Sequence, residues 1–450
     1  MDLIQGRELM KQKQKSAILC AGLICAAHLG AWAEPKVERS PLEIGSYIDV
    51  GQVVDGAVDE KGNDPDGQMK LLQHTAVYLN QTTTINDRLD IKVGVGGLFF
   101  YGYPELASAS TRVIKFGPGV GQAQGIYKFG DLQAPSWVVQ FGFFPFKYNP
   151  DAKNLGEYLM RSGTYPGYEV TGGWSTINSA LYMASGLHIR GNFLSNTLHA
   201  DVNLFMERDI EPQHDLSPSI LVAYKPIPLV EVGAGAEFAH LIPVFPHDLQ
   251  SRSVAYRGDS AFLEDNNPAN KHWTSKGIKV MGRASVNLGS LLNNPWIGNE
   301  GLKLYGEAAI LGVKDYPFYY DDITKRIPVM VGVNLPTLNF FDVIAFEYEH
   351  RSWNFQNHIG SVIDGEPIWG AGLEQPGGYN PDSASKATKA QGNKWSFYAK
   401  KQLLKGISIY AQVASDYLRG IDPQLYFFSN ETITSRPSQW YYLFRLEFGI

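Results

Sequence analysis

Between Phe141 and Arg161 the chain reads F-G-F-F-P-F-K-Y-N-P-D-A-K-N-L-G-E-Y-L-M-R, its richest run of groups able to do chemistry. Lys147, Asp151, Lys153, Glu157 and Arg161 place both signs of charge along it. Lys153–Glu157 and Glu157–Arg161 are i, i+4 pairs, the spacing of a short helix, and Pro145 and Pro150 are expected to end any strand pairing before it. In a narrow watery passage, opposed charges select ions by sign and size, acting over about 8 Å at physiological salt. On an external loop the same charges are simply solvated. Both placements are open at this level.

Other chemical signals are weaker. Asp64-Pro65-Asp66-Gly67, with Asp59 and Glu60, is acidic enough for calcium but lacks regular ligand spacing and a distal Glu. His240 and His247 flank Pro243 and Pro246 without metal-ligand spacing. No Gly-rich phosphate loop, G-x-S-x-G elbow or H-E-x-x-H is present. His199, Asp201, Asn203 and Ser219 fall near one another in a strand reading, but a triad is a matter of geometry that spacing does not supply. The expectation is therefore no enzyme, no metal and no cofactor.

The elements that must position the charged segment are strands. Period-two alternation recurs from Glu43 to the last residue, broken by short and long connections in turn. Leu198, Ala200, Val202, Leu204 and Met206 alternate with His199, Asp201 and Asn203, and Ile344, Phe346 and Tyr348 with Glu347, Glu349 and Arg351. Sixteen strands are expected, with fourteen to eighteen allowed. Placing both termini on one side puts most tight turns there, such as Asn86-Asp87 and Lys405-Gly406, and the long loops opposite. One loop covers 102–119, and strand four follows from Gly121. Polar residues of these strands that face the interior include Asp90, Lys92, Lys279, Arg283, Glu347, Glu349 and Arg351, with Glu231, Glu237 and Glu307 adding an acidic excess.

The first residues indicate export. Arg7, Lys11, Lys13 and Lys15 precede the apolar run Ser16–Ala27, and Ala31-Trp32-Ala33 is a small-residue cleavage site, so 1–33 reads as a signal peptide and 34–450 as the mature domain. Both cysteines, Cys20 and Cys25, lie in that leader, which excludes disulfides from the mature chain. The formal net charge of −6 becomes −8 when the leader takes four basic and two acidic residues with it. That balance offers no footprint for nucleic acid. No later apolar run approaches the ~20 residues of a transmembrane helix. Glycine at 46 residues, with 24 Tyr, 23 Phe and 9 Trp, suits a barrel with aromatic girdles.

The final stretch, Q-W-Y-Y-L-F-R-L-E-F-G-I, sets Tyr442, Phe444, Leu446, Phe448 and Ile450 on one face and Arg445, Glu447 and Gly449 on the other. It resembles the barrel-closing terminal strand of Gram-negative outer-membrane β-barrels, a family that prefers Phe as its last residue where this chain has Ile450. Across the mature chain the pattern resembles general bacterial porins. Their third external loop folds inward, which makes 148–174 the corresponding constriction. The F-x-P-F-K piece is locally similar to phosphate-selective porins, but the mixed inner charges do not form the basic ladder those channels require. The resemblance implies an all-β transmembrane antiparallel barrel in the outer membrane, with short periplasmic turns and long external loops. It also implies lipid and the barrel-assembly machinery as partners, and a homotrimer. Passive diffusion of ions and small polar solutes is the expected function, with a weak cation preference from the acidic excess. A plugged barrel binding polysaccharide or surface partners through its loops is the alternative.

Overall fold

The computed structural model describes residues 35–55, 70–102, 113–160, 182–206, 214–244, 251–253, 272–274, 277–292, 294, 296–297, 300–313, 323–338, 340–350, 393–415, 420–421, 429–430 and 439–449. Sixteen strands form one closed antiparallel sheet. They are β1 (Glu43–Asp55), β2 (Lys70–Ile85), β3 (Leu89–Gly102), β4 (Val113–Gly130), β5 (Pro135–Phe146), β6 (Tyr182–Phe193), β7 (Leu198–Met206) and β8 (Leu216–Ile227), then β9 (Val230–Ala239), β10 (Gly277–Asn287), β11 (Lys303–Ile310), β12 (Val329–Asn334), β13 (Val343–His350), β14 (Asn393–Leu404), β15 (Ile407–Ala414) and β16 (Gln439–Gly449). Each pairs with its sequence neighbours, and β16 returns to β1 from Gly45↔Gly449 to Asp55↔Gln439. Closure gives every strand a partner on both sides along at least part of its length.

The connections alternate as the sequence pattern implies. Asn86 and Asp87 turn β2 into β3 with φ of 51° and 58°, the pair of positive values a type I′ hairpin needs. Gly406, at φ 81°, turns β14 into β15, and a Cβ there would sit 2.0 Å from the Gly449 carbonyl oxygen. One connection at this end, 288–302, is long. It folds on itself through the short helix Gly289–Leu292 and bonds to the next turn through Leu338 N–H to Trp296 O at 2.9 Å.

Two departures from the sequence reading share one cause. β4 begins at Val113, not Gly121, and Pro118 lies within it opposite Gly97; β5 runs through Pro145, opposite Met183, to Phe146. The β4–β5 ladder, however, spans only Ala123↔Phe143 to Gly130↔Pro135. Past Phe143 both strands are one-sided, and a proline is tolerated where no partner asks for its N–H. The strand expected over 136–147 is present, and Pro118 and Pro145 mark where the β4–β5 ladder splits, not where all pairing stops.

Partners across a ladder share a face, so the register assigns every residue a side. Val331, Phe444 and Ile220 lie outward and are 53%, 52% and 50% exposed, within a belt of apolar residues that runs around the barrel. Inward lie the buried charges and a core made of strand residues and an inserted segment: Phe144, Phe146, Phe205, Leu221, Tyr305 and Met330 pack with Leu155, Tyr158 and Leu159. The barrel holds its core inside the ring.

Candidate functional site

At Phe146 strand β5 gives way to residues 147–160, which lie inside the barrel and are buried almost throughout. The segment is not helical. Gly156 and Glu157 have φ of 80° and 57°, values that break a helix, and Glu157 uses its carboxylate to accept the Asn149 backbone N–H at 2.9 Å. At Gly156 a Cβ would come within 2.7 Å of Met330 Cε. The i, i+4 spacing therefore does not produce the expected helix, because hydrogen bonds to the wall replace those of a helix.

Two carboxylates of the wall organise the segment. Glu347 on β13 accepts three successive backbone N–H groups, from Lys153 at 2.5 Å and from Asn154 and Leu155 at 2.8 Å each, and the Tyr305 hydroxyl at 2.9 Å. Successive N–H groups converging on one anion form a nest. Glu307 on β11 accepts the Tyr148 hydroxyl at 2.6 Å, the Asn149 side-chain amide at 2.7 Å and the Tyr158 N–H at 2.9 Å. Burial, with Glu307 and Glu157 nearby, pushes the Tyr148 hydroxyl well above its ordinary pKa, so it stays protonated and donates. It also accepts the Leu159 N–H at 3.1 Å.

Other sequence-named residues meet here. Lys147 donates to the Ala152 carbonyl at 2.6 Å, Asp151 pairs with Lys303, and Glu349 accepts the Tyr158 hydroxyl at 2.9 Å. Lys279 lies 3.1 Å from Glu237 and donates to the Leu159 carbonyl at 2.8 Å. Burial lowers the Lys153 ammonium pKa, opposed by Glu347, Glu300 and Asp151. Elsewhere on the inner face Asp90 pairs with Lys128 at 2.9 Å, Lys92 shares the face of Asp90, and Arg283 pairs with Glu231 at 2.7 Å. Tyr442, Phe444, Leu446 and Phe448 face outward on β16, while Arg445 turns inward and holds Asp49 through two bonds of 2.6 and 2.7 Å. Arg161, Arg351 and Ile450 lie outside the described residues, as do the Asp64-Pro65-Asp66-Gly67 stretch and His247.

Sequence reasoning missed the inner tyrosines. Tyr148, Tyr158, Tyr305 and Tyr441 are buried among polar partners, not set in girdles. Their signal was present: Tyr305 falls on the same alternation as Glu307, and Tyr441 on that of Arg445. The triad geometry is absent, since His199 bonds Asn192 at 2.7 Å and Ser219 accepts from the Asn203 amide at 3.0 Å.

No protein-family model and no curated protein matches this chain. Among solved structures, two engineered variants of the Rhodopseudomonas blastica porin match at TM-scores of 0.43 and 0.42, each with 7% identity over 92% of this chain and all of that one. A triple mutant of the same porin matches at 0.40 with 8% identity and the same coverage. At these scores the functional reading rests on the barrel's own geometry.

Proposed function

We propose that this chain is an outer-membrane porin through which ions and small polar solutes diffuse passively, its passage narrowed by residues 147–160. One observation carries the reading: a closed sheet is apolar outside and charged inside, with a charged segment laid across its interior. A soluble β-sheet protein buries its apolar faces. Here Val331 and Phe444 stay half exposed while Glu347, Glu349 and Lys279 are buried. That inversion suits a bilayer, where every strand must satisfy its backbone within a closed ring and the outward face meets lipid.

Several features extend the proposal. Residues 1–33 act as a cleaved leader, the tight-turn end faces the periplasm of a Gram-negative cell, and the assembly machinery and a homotrimeric state follow from the same resemblance. Lys147, Asp151, Lys153 and Glu157 belong to the constriction; the rest of the expected 148–174 segment, from Arg161 on, lies outside the described residues. The basis of a weak cation preference is altered, however. Glu237, Glu307, Glu347 and Glu349, four of the acids behind it, are each at most 2% exposed and are engaged with the segment or with Lys279.

The test is single-channel conductance of the folded mature chain in a planar bilayer. Uniform steps are expected. A silent bilayer from demonstrably folded protein would overturn the porin reading and return attention to a plugged barrel that binds through its loops.

A further inference from the structure

Residues 147–160 pack mainly against β7 to β13 and reach β16 where the Asn154 amide donates to the Tyr441 hydroxyl at 3.3 Å. On β2 to β7 the wall carries a continuous hydrogen-bonded row. Asn80 accepts from Gln122 at 3.0 Å, Gln122 from Gln124 at 2.6 Å and Gln124 from Gln140 at 2.6 Å. Gln140 meets His188 at 3.1 Å, and His188 meets Asp201 at 2.7 Å. Asp201 in turn grips Arg190 through bonds of 2.7 and 3.2 Å. The row orients the Arg190 guanidinium, whose side chain remains 42% exposed.

Lys128 stands near it. Lys128 faces Val138 and Val138 faces Arg190, so the two cations are two strand spacings apart, about 10 Å. That is close to one Debye length, and they act as one patch, joined by Lys92 on β3. On β3 to β7 the exposures are uneven by sign: Lys128 is 32% exposed against 15% for Asp90, and Arg190 42% against 9% for Asp201. The inner pair Arg283–Glu231 of β9 and β10 runs the other way, at 6% and 20%. On the covered side Asp151, Glu237, Glu307, Glu347 and Glu349 are matched at contact distance by an ammonium, a hydroxyl or backbone N–H groups. Lys128 and Arg190 are matched too, by Asp90 and Asp201, but they are the more exposed member of each pair, and with Lys92 the patch holds three cations against two acids, so its net sign toward a passing ion is positive.

We propose that the passage prefers anions, with Lys92, Lys128 and Arg190 setting the sign and the amide row offering N–H donors to anionic solutes. This rests on the porin reading above. It reverses the preference that the acidic excess of the inner strands implies.

The test is the reversal potential of the refolded mature chain in a potassium chloride gradient across a planar bilayer. A potential on the chloride side is expected, growing from molar to decimolar salt as screening weakens. K128Q and R190Q, singly and together, are expected to move it toward the potassium side. A potential on the potassium side for the parent protein refutes the anion preference and leaves the porin standing. Conductance without any dependence of selectivity on salt refutes the role of the wall charges. No conductance from folded protein refutes both. The parent salt series decides the matter even if a variant does not fold.

Discussion

Replacing Glu347 by glutamine should loosen the inserted segment where the nest grips it. The carboxylate accepts four hydrogen bonds, two on each oxygen: Lys153 N and Tyr305 Oη on Oε1, and Asn154 N and Leu155 N on Oε2. A glutamine carbonyl keeps two of these and turns an N–H2 donor toward the other two donors. Hydrogen bonds to a charged group contribute about 1.5–3 kcal/mol each, so the loss is roughly 3–6 kcal/mol. That shifts a two-state docking equilibrium on the order of 10²–10⁴-fold. Glu307, Lys279 and the Tyr158–Glu349 bond still hold the far end, so the opening is local to 153–155. Hydrogen exchange read by mass spectrometry on a peptide covering 148–160 should show those amides losing protection by at least about 10². Strands β1 to β3 should stay unchanged, and single-channel current noise should rise. Unaltered exchange at 153–155 in a folded variant would refute the nest as the anchor.

Lys153 and Tyr148 make docking depend on pH with opposite signs. A lysine whose docked pKa lies below its free value near 10.5 binds fewer protons when docked. Docking therefore tightens as pH rises through that lowered value toward 10.5, and K153M should abolish this rise in a pH series of amide exchange. Tyr148, raised above its ordinary 10.0, holds its proton when docked. Its contribution is complete below pH 10 and declines as pH climbs toward the raised value, a decline that Y148F should remove. At the β14–β15 turn G406A combines a positive φ with a clash against the Gly449 carbonyl. It should cost at least about 1 kcal/mol in urea unfolding, and an unchanged midpoint would contradict the turn geometry. On the outer belt, F444K should weaken refolding into vesicles by about 2–4 kcal/mol if Phe444 lies near the bilayer midplane. A soluble, equally stable variant would argue against lipid contact.

Much of the barrel was legible because a strand's two faces are written in strict alternation. Asp201 and Val202 declare opposite sides whatever their partners are, and Asn86-Asp87 declares a tight turn from the αL tolerance of those residues. Sixteen strands, their order and the inward placement of Asp90, Lys279 and Glu347 follow from local pattern alone. Pro118 and Pro145 were misleading for a local reason as well: a proline reports a missing donor, and only the split between β4 and β5 reveals that no donor was wanted there.

Tertiary structure decided where 147–160 goes and what the inner charges do. Its anchors, Glu307, Glu347 and Glu349, lie 149 to 194 residues away in sequence, and no periodicity encodes a contact of that separation. Lys153 and Glu157 carry helical spacing, yet Glu347 of the wall takes the Lys153 N–H and the Glu157 carboxylate turns back to take the Asn149 N–H. Charge followed the same rule. The sequence sets how many acids and bases face inward, but burial beneath the segment determines which of them reach the solvent, and that depends on which surfaces the folded chain brings together.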